Sequence, residues 1–419
     1  MKYDICVIGL GYIGLPTASI FASHGFKVLG VDIVPSVVDT INQGNIHIAE
    51  PDLDVLVRAA VQSGNLCAAL VPACADVYVI AVPTPFKHGL DENRTPELAY
   101  VEAATRSLAG VVEPGDLVIL ESTSPVGTTE KMSEWLEDEL LLKKRGVKGS
   151  QILFAHCPER ILPGQMLKEL VTNDRIMGGL TPGAAQKAKL LYQSFCVGEI
   201  FLTDSRTAEM AKLTENAFRD VNIAFANELS LICERLKIDV WDLIRLANRH
   251  PRVNILKPGP GVGGHCIAVD PWFIVDSAPD LAKLIRSARE VNDSKPHYVI
   301  AQVKAAAALH SAPVIACLGL AFKANVDDLR ESPAVEIVRH LAQAKIGSIL
   351  VVEPNVSKFP GVLADLSGSI KLVTLDLALS SADIIVLLVD HRQFLEIEGA
   401  RLAKKTVIDT RGSWKKLGK

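Results

Sequence analysis

Across its 419 residues the chain has no Cys-x-x-Cys pair, no long Lys/Arg block, no apolar run of membrane-spanning length, and no short-period repeat or low-complexity tract. Each absence excludes something. The eight cysteines form no zinc-ligand series, so neither a disulfide framework nor a metal site is expected. Cys6 and Cys317 sit in apolar strand-like runs and Cys233 in a helical one, where cysteine packs as a small hydrophobe. A formal charge of -4 without clustered cations excludes a nucleic-acid footprint. The longest apolar runs, such as Ile384 to Val389, are far short of a bilayer. The first residues run straight into a strand without the h-region of a signal peptide, which predicts a soluble, cytoplasmic protein.

What is present is 49% hydrophobic residues, enough to fill the roughly two to four domains that this length implies. To about residue 200, short β-type runs (Ile5 to Ile8, Val28 to Val31, Val77 to Val82, Leu117 to Leu120, Ile152 to Ala155) alternate with helix-length stretches. That alternation predicts parallel strands with helices on both faces. Thr207 to Leu236 then reads as one helix without Gly or Pro, roughly 45 Å long, of the kind that bridges domains or pairs with a second subunit. Ala282 to Leu309 is again helical, and from Pro313 a second strand-helix series begins. The expected fold is α/β: two Rossmann-like doubly wound domains joined by a central helical region with a long helix. The expected domains are 1–200, 201–308 and 309–419.

Gly9-Leu-Gly11-Tyr-Ile-Gly14 directly follows the first strand and precedes a helix. Gly9 permits the tight turn, Gly11 the approach of a pyrophosphate, and Gly14 close helix–strand packing. Asp32 ends the next strand, eighteen residues after Gly14, where a carboxylate accepts from a ribose diol and repels a 2′-phosphate. NAD is therefore the expected cofactor. Two later strand-end loops, Val82-Pro-Thr-Pro85 and Glu121-Ser-Thr-Ser-Pro125, offer Thr84 and Thr123 either as ligand-binding hydroxyls or as helix caps.

The second chemical feature is Pro258-Gly-Pro-Gly-Val-Gly-Gly-His-Cys266, followed by Asp270. Its glycines remove the Cβ atoms that would keep backbone from a ligand and permit positive φ. A thiol presented there adds to an aldehyde far better than a hydroxyl does. The thiohemiacetal is oxidised to a thioester, which water hydrolyses to an acid; a packed cysteine in a substrate-binding loop is the alternative. His265 adjoins the thiol, although sequence neighbours need not share a face. Lys212 and Asn216 share one helix face. They suit an alkoxide and a water, or else form a solvated face. Glu159, in Cys157-Pro-Glu-Arg160, and Asp270 serve as proton relays or as structural acceptors. Lys323, in Gly319-Leu-Ala-Phe-Lys323, and Arg330, before Pro333, suggest a second anion site at a helix N-terminus. The competing reading there is a capping box with solvated charges.

Taken together, Gly9-x-Gly11-Tyr-x-Gly14-Leu-Pro16, Val82-Pro-Thr-Pro85, Ser122-Thr-x-Pro-Val-Gly127, Lys212-Leu-x-Glu-Asn216, Asn227-Glu228, Gly261-x-Gly-Gly-x-Cys266-x-x-x-Asp270-Pro, and Phe322-Lys323 with Asp327 and Arg330 resemble the NAD-dependent UDP-sugar 6-dehydrogenases. The resemblance spans essentially the whole chain. It implies a four-electron oxidation of a sugar CH2OH to a carboxylate, with Cys266 as nucleophile, Lys212, Asn216 and Asp270 handling oxyanion and water, and Glu159 assisting thioester hydrolysis. It adds Tyr12, Ile13 and Arg330 to the cofactor contacts. To the UDP-sugar contacts it adds Arg160, Arg219, Gly263, Phe322, Lys323 and Arg411. Arg252 would reach a neighbouring subunit's site in a homodimer, or a higher homo-oligomer, built on the long helix.

Cys157-Pro-Glu-Arg160 departs from the UDP-glucose branch. With Ile161-Leu-Pro-Gly164, Arg219-Asp-Val-Asn-Ile-Ala224, Asn248-Arg-His-Pro-Arg-Val-Asn254 and Asp270-Pro-Trp-Phe, it resembles the N-acetylhexosamine branch. That implies UDP-N-acetyl-D-mannosamine as substrate and a uronate destined for enterobacterial common antigen or capsule. UDP-GlcNAc and UDP-GalNAc are the neighbouring alternatives. A two-electron hydroxyacid-type dehydrogenase is more remote, because it explains neither the glycine-flanked cysteine nor the last α/β region. A non-catalytic nucleotide-sugar sensor would bind without forming NADH.

Overall fold

The computed structural model describes residues 2–48, 50–87, 94–144, 146–161, 164–264, 266–356 and 358–414. It divides into two compact units, 1–215 with 276–278, and 216–275 with 279–419.

The first unit holds an eight-stranded sheet of β1 (Tyr3–Ile8), β2 (Val28–Val31), β3 (Leu66–Ala69), β4 (Ala75–Ile80), β5 (Leu117–Leu120), β6 (Leu153–His156), β7 (Arg175–Gly179) and β8 (Ile200–Asp204). Its order is β3-β2-β1-β4-β5-β6-β7-β8. Successive side chains of a strand point to opposite faces, and β1 feeds two cores. Ile5 and Val7 pack with Leu15 and Phe21, whereas Cys6 and Ile8 pack with Val101, Met132 and Leu136. Both faces are covered, so the buried stretch Ile5 to Ile8 is apolar without a break. The expectation of parallel strands holds except between β6 and β7, which pair antiparallel through Ala155↔Gly179 and His156↔Gly178. The connection there includes the helix Met166–Thr172, whose Leu170 packs into the core on one face of the sheet.

The second unit holds a five-stranded parallel sheet of β9 (Val314–Leu318), β10 (Ser348–Val352), β11 (Ile370–Leu372), β12 (Ile384–Leu387) and β13 (Thr406–Asp409). Its order is β11-β10-β9-β12-β13. The same two-faced logic applies. Ile315 and Cys317 join Ile337 and Leu341, and Ala316 and Leu318 join Leu379 and Phe394. Burial pushes the thiols of both Cys6 and Cys317 up to about 12, so they are inert packing groups.

Between the sheets in sequence lie the long helix Ser205–Leu236, of 32 residues, and the helix Lys283–Ala307, which carries Pro296 inside it. Among the described residues no helix is long and apolar enough to cross a membrane.

Candidate active site

The turn after β1 has the geometry of a dinucleotide cradle. Gly9 takes φ +90°, and a Cβ there would lie 2.7 Å from the Ala81 carbonyl oxygen. A Cβ on Gly14 would sit 1.8 Å from the Gly9 carbonyl oxygen, so the helix Gly14–Ser23 approaches the turn only because residue 14 has no side chain. At Gly11 a Cβ would meet nothing within 4 Å, which leaves open space against backbone. The helix has no acidic residue in its first turn and no side-chain cap at Ile13, as suits an anion at its N-terminus. Asp32 accepts from the backbone N–H of Leu10 at 3.1 Å and of Val34 at 3.0 Å. Those bonds fix its carboxylate while each oxygen keeps a further acceptor site for a ribose hydroxyl. Tyr12 is exposed and Ile13 half-buried beside it. These residues fit NAD.

Thr84 and Thr123 do not cap helices; the nearby helices begin after Leu98 and Gly127. Instead Thr84 Oγ1 donates to the Thr123 carbonyl at 2.7 Å, tying the two strand-end loops together. Below them lies a buried polar cluster. Tyr192 donates to Glu121 Oε1 at 2.5 Å and Thr17 donates to Oε2 at 3.2 Å. Burial, aided by the neighbouring Glu159 charge, pushes Glu121 up to about 8 against those hydrogen bonds and Arg175, so it keeps its proton at neutral pH. Glu159 is itself buried, and Arg175 Nη1 donates to its Oε1 at 2.5 Å. Arg160 is engaged by Glu215 at 2.5 Å and donates to the Asp174 carbonyl at 3.1 Å. Lys212, on the same unit's part of the long helix, is 9% exposed.

In the second unit Cys266 is exposed, unlike Cys6, Cys157, Cys233 and Cys317. Its carbonyl accepts from the N–H of Asp270 at 2.8 Å, which starts the helix Asp270–Ser277 one turn beyond the thiol. Asp270 is buried, and its Oδ2 accepts from Asn216 Nδ2 at 2.5 Å, so two of the expected residues do meet. Two glycines of the loop lie against residues 322 and 331 with no room for a side chain. A Cβ on Gly263 would come within 2.2 Å of the Glu331 carbonyl oxygen, and one on Gly264 (φ +86°) within 2.8 Å of the Phe322 ring. Phe322, Lys323, Arg411 and Asp390 line a small cavity that also touches Pro260 and Gly261.

Arg411 pairs with Asp390 at 3.0 Å and Arg330 with Asp328 at 2.6 Å, while the Lys323 side chain is exposed. The capping-box alternative fails, because Ser332 Oγ donates to the Leu320 carbonyl at 2.6 Å and makes no cap bond to the helix that follows. Arg219 and Arg252 are exposed. His265, and Leu162 and Pro163 of the Ile161–Gly164 run, lie outside the described residues.

Several buried polar residues escape a sequence reading: Arg175 and Tyr192 in the first unit, and Asp220, Arg289 and Asn292 in the second. The usable signal was an arginine opening the otherwise apolar run Arg175-Ile-Met-Gly-Gly179, which demands a buried anion.

Two Rossmann-like sheets, a dinucleotide turn with its acid and an exposed loop thiol define an NAD-dependent dehydrogenase. Residues 3–196, 206–294 and 316–416 match in turn the NAD binding, central and UDP binding domains of the UDP-glucose/GDP-mannose dehydrogenase family, and the chain belongs to that family. It is 60% identical over 413 residues to the NDP-N-acetyl-D-galactosaminuronic acid dehydrogenase of Ralstonia nicotianae, covering 98% of this chain and 96% of the relative. It is 57% identical over 422 residues to the UDP-N-acetyl-D-mannosamine dehydrogenase of Escherichia coli, covering 98% and 99%. Its fold is similar to that of the UDP-D-ManNAc dehydrogenase from Pyrococcus horikoshii, with a TM-score of 0.86 and 39% identity over 99% of this chain and 96% of that one.

Proposed function

We propose that the protein oxidises UDP-N-acetyl-D-mannosamine at C6 to the uronate, in two successive two-electron steps. The observation that carries this reading is the exposed Cys266 on a glycine loop whose backbone packs against Phe322, in the unit that contains the UDP binding domain. NAD, held at Gly9, Gly11, Tyr12, Ile13, Gly14 and Asp32 with Thr84, Thr123 and Arg330, supplies the electron acceptor for both oxidations. Lys212 steadies the substrate oxygen as it loses its proton. Once the C6 aldehyde has formed, the Cys266 thiolate adds to its carbon and gives a thiohemiacetal, whose oxidation leaves a thioester. Asp270 and Asn216 orient the water, and Glu159 takes its proton as the thioester breaks, releasing the carboxylate and the thiol. Lys323, Arg411, Arg160, Arg219, Gly263 and Phe322 hold the UDP-sugar.

The functional division is 1–200 for cofactor, 201–308 for the thiol and subunit contacts, and 309–419 for UDP. The subunit contact is a homodimer or higher homo-oligomer on the long helix. Phe218, Phe225, Ile232 and Leu236 are 70%, 53%, 44% and 60% exposed at spacings of seven, seven and four, which makes an apolar seam for a second copy. Arg252 would then serve the neighbour's site. A reaction that uses NAD and a nucleotide sugar belongs in the cytoplasm, and its uronate product suits enterobacterial common antigen or capsule.

The test is the NADH released per molecule of pure UDP-ManNAc, with UDP-GalNAc, UDP-GlcNAc and UDP-glucose alongside. Two NADH with UDP-ManNAc preferred is expected; one NADH removes the thioester. The relative from Ralstonia nicotianae favours a second reading, the galacto epimer, and two NADH with UDP-GalNAc preferred would decide for it.

A further inference from the structure

Four buried polar side chains of the second unit have no part in the chemistry above: Asp220, Asn227 and Arg289 are 0% exposed and Asn292 1%. They form one directed chain. Arg289 Nη1 donates to Asp220 Oδ1 at 2.6 Å, and its Nη2 donates to Asp293. Asn292 Nδ2 donates to the same Asp220 Oδ1 at 2.8 Å and to the Asp220 carbonyl at 3.1 Å. Asn292 Oδ1 accepts from Asn227 Nδ2 at 2.9 Å, and Asn227 Oδ1 accepts from the backbone N–H of Gly259 at 2.8 Å.

The polarity is forced from one end. A carboxylate paired with a guanidinium only accepts, so Asn292 must turn its nitrogen toward Asp220 and its oxygen toward Asn227. Asn227, with its nitrogen turned to Asn292, presents its oxygen to the loop. Burial works to raise the Asp220 pKa and the Arg289 charge works against it.

The far end of the chain is the loop that bears Cys266. A Cβ on Gly259 would lie 2.6 Å from Arg411 Nη1, so the residue whose N–H is gripped also rests against a guanidinium of the UDP domain. Farther along, a Cβ on Gly261 would meet Pro333 at 2.9 Å and Pro296 at 3.2 Å. A loop built from such residues has few side chains with which to fix itself, and an outside acceptor must set its register. We propose that Asn227 and Asn292 are positioning residues that carry the fixed Asp220–Arg289 pair to Gly259 and thereby set where Cys266 is presented and how Arg411 is packed. This rests on the reading of Cys266 as nucleophile.

The test measures, in the full-length enzyme, the pH profile of iodoacetamide alkylation at Cys266, resolved by peptide mass spectrometry, beside kcat and the KM values for UDP-sugar and NAD. Asn227→Leu removes the acceptor, Asn227→Asp keeps it, and Asn292→Gln displaces the chain without deleting an amide. Asn227→Leu and Asn292→Gln should lower kcat roughly 10- to 100-fold and displace the alkylation profile. KM for NAD should stay unchanged, and Asn227→Asp should lie closer to wild type than Asn227→Leu. A folded Asn227→Leu enzyme with wild-type alkylation and kcat overturns the proposal. If that variant does not fold, wild-type values in Asn292→Gln overturn it. Cys266→Ser separates the two readings: continued uronate formation removes the nucleophile itself, whereas an inactive Cys266→Ser beside unaffected Asn variants removes only the positioning chain.

Discussion

The two sheets repeat one device and use its acid in opposite ways. After β1, Gly9 takes φ +90° and its N–H donates to the Val31 carbonyl at 2.8 Å; after β9, Gly319 takes φ +96° and its N–H donates to the Val352 carbonyl at 2.8 Å. The next strand is followed directly by Asp32 in one case and by Glu353 in the other, and each acid accepts from the residue after the glycine, Leu10 at 3.1 Å or Leu320 at 2.7 Å. The strand orders correspond as well, with β3-β2-β1-β4-β5 matching β11-β10-β9-β12-β13. There the likeness ends. Asp32 is half-buried, whereas Glu353 is 4% exposed and also accepts from Ala321 and Asn355 N–H groups and contacts His391 Nε2 at 3.2 Å. A carboxylate so surrounded cannot meet a ribose. The same fold therefore keeps a half-buried acid that fits a ribose in one domain and a fully enclosed acid that braces its own turn in the other.

The largest effect expected from breaking this parallel is at the turns. Gly14→Ala drives a methyl into the Gly9 carbonyl and should cost about 1–3 kcal/mol and abolish measurable NAD binding. Gly319→Ala, whose methyl would lie 2.4 Å from Val389 Cβ, should destabilise comparably yet leave the NAD Kd intact. Thermal melts paired with NAD titration check both.

Next come the acids. Asp32→Ala should shift the NAD/NADP preference by roughly 10-fold or more with little change in Tm. Glu353→Gln should leave the preference alone and lower stability by about 1–3 kcal/mol. A lowered Tm in Asp32→Ala with unchanged preference would collapse the contrast.

A third prediction uses pH. Burial acts to raise Glu353, but His391 and the backbone N–H groups outweigh it and hold it low. Its stabilisation is complete above the ordinary carboxylate range and lost on acidification through and below that range. Glu121 has the opposite sign. With its folded pKa up at about 8 against an ordinary 4.5, its contribution is full below about pH 4.5 and lost as pH rises through 8. Urea melts of Glu121→Gln should therefore show a flatter stability profile between those limits than the wild type. The smallest effect belongs to Gly11→Ala, where nothing lies within 4 Å: Tm should hold while NAD affinity falls as the methyl occupies pyrophosphate space.

Strands with an uninterrupted apolar run, such as β5, β10 and β12, were legible in the sequence because burial on both faces writes itself as composition. The strands β3, β7, β8 and β11 were not. Leu66-Cys-Ala-Ala69 has no β-branched residue, Arg175-Ile-Met-Gly-Gly179 opens with a charge and ends in glycines, Ile200-Phe-Leu-Thr-Asp204 lies at the sheet edge, and Ile370-Lys-Leu372 is three residues long. Those four are strands because a neighbouring strand offers hydrogen bonds, a fact absent from any local window. At the site, the glycines and Asp32 were readable because only those residue types satisfy the turn. The partnership of Glu159 with Arg175 was not, since sixteen residues and a reversal of strand direction separate the two.

The sequence by itself determined the alternation that makes two α/β domains, the glycine spacing that admits a dinucleotide, and the placement of a cysteine at the end of a glycine-rich run. These are local matters of sterics and burial. Only the tertiary structure decided which polar groups are buried together. It left Asp32 half-buried while enclosing Glu353, pushed the Glu121 pKa up by burial, and ran a directed chain of amides from Asp220 to Gly259. A buried polar group is defined by what surrounds it, and those surroundings come from segments far apart in the chain.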